Sequence, residues 1–107
     1  MFATIRRYTA TTSIPQKEID EFRHLISDGF LPMVKDIEGF HAYHLFVSEK
    51  ELCTVSVFET RKGAAESTRR AAEFVRKTPL PLQLGAPEVI EGDVLISLEA
   101  ARLVGAH

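Results

Sequence analysis

The residues best suited to chemistry are an arginine and a set of aromatic and hydroxyl side chains that can share one face of a sheet: Arg6, Tyr8, Tyr43, Ser56 and Phe58, with Phe74 on a helix at the edge. A cavity walled by such rings suits a flat organic ligand, because apolar walls supply affinity and a few polar tips fix the pose. Arg6 there could hold an anionic phenolate or carboxylate. Oxidising a phenol without a cofactor needs a stabilised substrate anion and a dry chamber, and such a site offers both. Arg6, Tyr43 and His44 are therefore the candidate catalytic residues, and Tyr8, His41, Ser56, Phe58 and Phe74 the candidate ligand contacts. The same side chains also read as ordinary core rings with Arg6 reaching out to the rim. The sequence leaves both readings open.

His41 and His44 titrate near neutrality, so either could act as a general base, or simply sit satisfied in a sheet or interface. Their spacing of three puts them on opposite faces of a strand, which argues against a shared metal. Cys53, the only cysteine, has no thiolate-activating motif around it and reads as a strand residue. No internal disulfide can form. Neither a glycine-rich phosphate loop nor a nucleophile elbow is present. The arginines and lysines of segment 61–77 read as a solvated helix face.

Six elements would position these residues. Segment 2–8 (FATIRRY) is a strand. A helix is expected over about 14–36, started by a capping box between Ser13 and Gln16. Its apolar stripe is Ile19, Phe22, Ile26, Phe30, Met33 and Ile37. Pro32, with Gly29 before it, predicts a kink or two abutting helices, and Gly39 is the stop. Segments 41–48 and 52–59 form a hairpin around Glu49-Lys50. With Ser48 opposite Glu51, period two places Ala42, His44, Phe46, Cys53, Val55 and Val57 on one face. His41, Tyr43, Leu45, Val47, Leu52, Thr54, Ser56 and Phe58 fall on the other. Both faces hold apolar residues, so both need a cover, and a second subunit is the simple candidate for one. Thr60 caps a second helix over about 61–77, whose small-residue stripe lets it sit close to the sheet. Segment 78–87, with three prolines, is extended or irregular. A last strand is expected within 88–98, broken or bulged near Gly92. The order is β-α-β-β-α-β, a split βαβ arrangement with an antiparallel sheet. A single domain over 1–98 is expected, with 99–107 as a tail.

The chain has 107 residues, 45% hydrophobic and 26% charged, with a formal net charge of -2. That is a globular composition for one ordinary domain. With no basic excess to neutralise phosphates, no nucleic-acid partner is expected. No apolar run approaches the roughly 20 residues of a membrane span, and the N-terminal MFATIRRYTA lacks the apolar stretch of a signal peptide. A cytoplasmic location is the expectation.

The opening strand FATIRRY, the segment IEGF (37–40) before strand HAYHLF, and the passage VSVFETRKGAAES (55–67) together resemble the antibiotic-biosynthesis-monooxygenase type of dimeric α+β barrel. IEGF resembles that family's proline-glycine-phenylalanine turn, with Glu38 in the proline's place. The resemblance covers residues 2–98. It implies a ferredoxin-like βαββαβ fold in a homodimer, with no cofactor for the oxygenases of the family that act on aromatic polyketides. It also brings in haem-degrading relatives. The monooxygenase-type and the haem-degrading members both often place a tryptophan where this chain has Phe58, so the oxygenase chemistry is left without its usual aromatic; the haem degraders add a histidine on the second helix and an asparagine near Arg6. The chain has no tryptophan at all and no histidine in 61–77, so haem chemistry is not expected. Two functions follow: a cofactor-independent monooxygenase acting on an aromatic or polyketide-like metabolite, or a non-enzymatic ligand-binding or structural dimer.

Overall fold

The hairpin sets the frame of the sheet. In the computed structural model, which describes residues 1–79 and 84–98, β2 (Phe40–Val47) and β3 (Glu51–Phe58) run antiparallel through the two-residue link Glu49-Lys50. Val47 lies opposite Leu52, and the Ser48 amide donates to the Glu51 carbonyl at 2.8 Å. This is the register that period two anticipates. β1 (Phe2–Thr9) pairs antiparallel with β3, from Phe2 opposite Phe58 to Thr9 opposite Glu51. On its other side β1 pairs with β4 (Glu88–Asp93). The strand order is β2-β3-β1-β4. With the helices in chain order this is the ferredoxin-like α+β arrangement.

The first helical segment runs as α1 (Gln16–Leu25), one π-helical turn (Ile26–Phe30) and α2 (Leu31–Val34). The expected kink therefore takes the form of an inserted residue. The Leu31 amide donates back to the Ile26 carbonyl, a step of five. Pro32 has no amide hydrogen to give, and the widened turn accommodates its ring where a tight ladder would clash. Gly29 is needed at the same place: a Cβ there would come within 2.9 Å of the Phe74 ring. The expected capping box does not form. Pro15 occupies the cap position without a side-chain hydrogen bond, while the Ser13 hydroxyl donates to Glu49 Oε1 at 2.9 Å. The hairpin turn has captured this loop, since its carbonyls at Lys50 and Glu49 also accept from the amides of Ala10 and Ile14. Gly39, at φ 83°, ends the segment in the left-handed region.

α3 (Arg61–Lys77) starts as expected, with Thr60 Oγ1 accepting from the Gly63 amide at 3.2 Å. Gly63, Ala64 and Ser67 are its buried residues. A Cβ on Gly63 would meet the Glu38 carbonyl and Phe58 at 3.1 Å, so glycine permits the close seat on the sheet.

The core lies on one sheet face. Phe2, Leu52 and Phe58 from the strands meet Phe22, Ile26, Phe30, Val34, Ile37 and Ala64 from the helical side. The opposite face carries no helix among the described residues. Across it Val55, Ile5 and Ile90 are register neighbours, and Phe46 is 55% exposed. One expectation needs correction. His41 does not share the Tyr43 face, because an irregularity between Phe40 and Ala42 shifts the phase. Phe40 turns inward against the Phe58 ring, at 5.7 Å between centroids, and His41 is exposed. The last strand lies within the expected span and breaks off after Asp93, next to Gly92; there is no bulge, since Gly92 sits opposite Ala3 in an unbroken register. Its final bond goes from the Val94 amide to the Met1 carbonyl at 2.8 Å. Leu95, Ile96 and Leu98 then continue almost fully exposed. Part of the proline-rich segment, residues 80–83, and the tail 99–107 lie outside the described residues. The described remainder of 78–87 forms no helix or strand.

Candidate functional site

Arg6 is the unusual residue of the interior. It sits mid-strand on β1 opposite Thr54, points under α3, and is only 9% exposed. Its Nη2 donates to Thr68 Oγ1 on α3. Thr68 in turn donates to the Ala64 carbonyl at 3.1 Å, a turn earlier in the same helix. Thr68 thus offers Arg6 an oxygen lone pair but no charge. Among the described residues Arg6 makes no ion pair, whereas Arg7, its exposed neighbour, pairs with Glu51 at 2.8 Å. A buried guanidinium with one neutral partner costs free energy that packing alone does not explain.

Around it is a small chamber of about 50 Å³. Tyr8 and Tyr43 bring hydroxyls, and Phe22, Phe30 and Phe74 bring rings. Phe30 organises the aromatic wall, standing edge-on to Tyr43 at 5.7 Å and tilted against Phe74 at 5.6 Å. Burial pushes the Tyr43 phenol up to about 12, with Tyr8 adding to the shift and Arg6 opposing it. Burial raises Tyr8 as well, again against the pull of Arg6. Near neutral pH both phenols are protonated. They can donate hydrogen bonds to an anion held by Arg6, and they are poor acceptors of a proton.

Arg6, Tyr8, Tyr43 and Phe74, four of the eight residues singled out in the sequence, thus come together. The other four do not. Ser56 and Phe58 are buried under α3, away from the chamber, Phe58 packed against Phe40. His44 belongs to the opposite sheet face, one residue out of phase with Tyr43, and is exposed. The pleat of β2 keeps it apart from Tyr43, as period two anticipates. His41 lies outside the chamber, hydrogen-bonded to Glu59 Oε2, and that bond holds the Glu59 carboxyl below its usual range. The chamber therefore contains no histidine. Among the described residues no group of three or more His, Cys, Asp or Glu could hold a metal ion.

Three further residues matter that sequence reasoning passed over. Phe30 reads as one more member of the apolar helical stripe. Thr54 was legible as a neighbour of Arg6, since it shares its face one strand away. Thr68 is masked by its place in a small-residue stripe. Beside the chamber, a wider groove of about 380 Å³ runs between α1 and β2. Phe22, Ile26 and Tyr43 line both spaces. One more buried group is unusual: the hydroxyl of Thr4, on the same face of β1, has no hydrogen-bond partner among the described residues.

No protein-family model matches the sequence, and no curated protein matches it. Solved structures do. A monooxygenase from the gene ActVA-Orf6 of Streptomyces coelicolor, solved with nanaomycin D, superposes with a TM-score of 0.67 at 12% identity, covering 94% of this chain and 92% of that one. An antibiotic biosynthesis monooxygenase gives 0.62 at 16% identity, covering 90% and 100%. SnoaB, a cofactor-independent oxygenase from Streptomyces nogalater, gives 0.59 at 11% identity, covering 92% and 97%. The fold of this chain is that of the antibiotic-biosynthesis-monooxygenase type, as the strand and turn motifs of the sequence suggested. No helix among the described residues is long and apolar enough to cross a membrane.

Proposed function

We propose that the protein is a homodimeric, cofactor-independent monooxygenase acting on a planar hydroxylated aromatic compound, with the Arg6 chamber as its reaction site. The observation that carries this is the buried, uncompensated guanidinium among aromatic rings and two protonated phenols. Arg6 would hold the substrate as its phenolate, and Tyr43 and Tyr8 would donate to oxygens of the ring system. An ionised phenol is a good reductant. It can pass electrons to dioxygen, the co-reactant, form a carbon–oxygen bond, and leave as a quinone with loss of water. Two of dioxygen's four oxidising equivalents are then met by oxygen insertion and two by the ring. Since the chamber holds no histidine, Arg6 would act by favouring the ionised substrate. A cofactor-independent oxygenase of the same fold supports the reading.

A second copy supplies the dimer. The uncovered sheet face with Ile5, Phe46 and Ile90, and the exposed run Leu95, Ile96 and Leu98, would each be covered by it. A non-enzymatic, structural role is favoured by one observation, the small volume of the chamber, which falls below the ~300–1,000 Å³ of ordinary ligand sites.

The test is dioxygen uptake by chelator-treated, flavin-free protein given 1-naphthol and related monophenols, which gain one oxygen atom on becoming the quinone. Uptake matched by quinone formation, and lost in Arg6→Met, is the expected result. Uptake at the rate of a protein-free blank, or unchanged in Arg6→Met, refutes the oxygenase reading.

A further inference from the structure

We infer that the Arg6 chamber and the α1–β2 groove form one bipartite site for an amphipathic monoanion, its charged head on Arg6 and its apolar body in the groove. The inference rests on reading the chamber as the ligand site and adds which ligands fit it. The chamber alone is too small for a ring system. Its 50 Å³ compares with about 30 Å³ for one water in the liquid, so it admits a carboxylate or a phenolate oxygen and little more. The groove, at 380 Å³, is within the usual range for a small-molecule site, and its wall is apolar along Ile19, Leu31, Leu45 and Leu52. Phe22, Ile26 and Tyr43 border both spaces, so the two are adjacent, and a ligand that spans them would pass between these side chains.

The charge of the head follows from Thr68. Its hydroxyl hydrogen is already given to the Ala64 carbonyl, so what faces Arg6 is a lone pair. The guanidinium has five N–H donors, and this bond uses one. A carboxylate at position 68 would pair with Arg6 internally and neutralise the chamber. A threonine supports the arginine and leaves its charge for a ligand. Arg23, in the groove's lining, is paired with Asp20 at 3.6 Å, so Arg6 supplies the unpaired charge and sets the preference at one negative charge, since a dianion would bury an unmatched one.

Calorimetric titration of the whole chain under nitrogen, where no oxidation can occur, tests this. The probes are 2-naphthoate, its neutral isostere 2-naphthamide, and benzoate, which has the head without the extended body. Naphthoate is expected to bind about tenfold or more tightly than naphthamide, the worth of one charge-assisted pair, and more tightly than benzoate. Arg6→Gln and Thr68→Glu should both abolish the preference for the anion. Thr68→Val, which adds no charge, should keep it. Ile19→Trp, which fills the groove, should weaken naphthoate more than benzoate, whose single ring occupies less of it. Equal binding of naphthoate and naphthamide, no binding of either, or a preference that survives in Arg6→Gln or Thr68→Glu would overturn the charged head. Naphthoate affinity unchanged in Ile19→Trp would overturn the groove. Naphthoate binding without any dioxygen uptake by phenols counts against the oxygenase reading alone. Uptake without naphthoate binding counts against the bipartite site alone.

Discussion

Replacing Arg6 with methionine should make the protein more stable. The guanidinium is 9% exposed, bonded to one hydroxyl and opposed by no carboxylate among the described residues. Removing it forfeits one hydrogen bond to a charged group, worth about 1.5–3 kcal/mol. It also removes the desolvation penalty of a buried ion, several kcal/mol even after relaxation. Thr68 is not orphaned, because its hydroxyl still donates to the Ala64 carbonyl. Methionine keeps an unbranched stem, and its sulfur makes favourable contacts with rings such as Phe30 and Phe74. The balance is a gain of about 1 kcal/mol, which for a domain near this size raises the melting temperature by roughly 4–8 °C. Calorimetric melting of Arg6→Met beside the parent chain measures it. A melting temperature that falls would mean that Arg6 braces α3 on the sheet, and the argument for a stored, ligand-directed charge would fail.

Thr4→Val keeps the shape of the side chain and deletes a buried hydroxyl that has no partner. It should raise stability by roughly 1 kcal/mol in urea unfolding, and a loss would reveal a hydrogen bond for Thr4 in solution. Tyr43 gives a pH signature. Its folded value of about 12 lies above the model-peptide value of 10.0, so between those pH values the folded chain binds more protons than the unfolded one. Stability must then fall as pH rises from about 10 to 12. Tyr43→Phe should flatten that fall, and a Tyr43 that ionises near pH 10 by its ultraviolet absorbance would contradict the burial argument. On the proposed pairing the parent chain sediments as a dimer, and Phe46→Asp, which puts a charge on the uncovered sheet face, should sediment as a monomer with little change in helix content. A variant that stays dimeric would move the interface elsewhere.

Much of the architecture could be read before any coordinates, and the failures have local causes. The hairpin register follows from a two-residue link between two β-rich runs, where pleat and turn leave one consistent pairing. Thr60 reads as a cap because nothing else competes for its hydroxyl. Ser13 reads equally well as one, but the helix starts later, at Gln16 with Pro15 in the cap position, and the Ser13 hydroxyl binds Glu49, 36 residues later, instead. Alternation put Tyr43 on the helix side and His44 opposite, which already separated the two. Grouping them as catalytic partners set that pleat aside. His41 was misplaced for a different reason: the irregularity at Phe40/Ala42 inverts the phase, and no residue type announces it. β4 falls inside the expected span 88–98 and ends at Asp93, beside the glycine that marked the break. The chamber was half legible. Arg6, Tyr8 and Tyr43 follow from period two, whereas the neutrality of Arg6's partner depends on Thr68 being 62 residues away.

Whether the helix side of the sheet is a binding chamber or a filled core is best decided by thermal unfolding with a panel of hydroxylated naphthalenes and naphthoquinones. A ligand that binds only the folded chain at 100 times its dissociation constant adds about 2.7 kcal/mol, which corresponds to a rise of the order of 10 °C. Such a rise is expected for at least one ionisable member of the panel with the parent chain, and none with Arg6→Met. A melting temperature unmoved by every compound, or moved equally in Arg6→Met, would show that Arg6 and its rings are packing and nothing more.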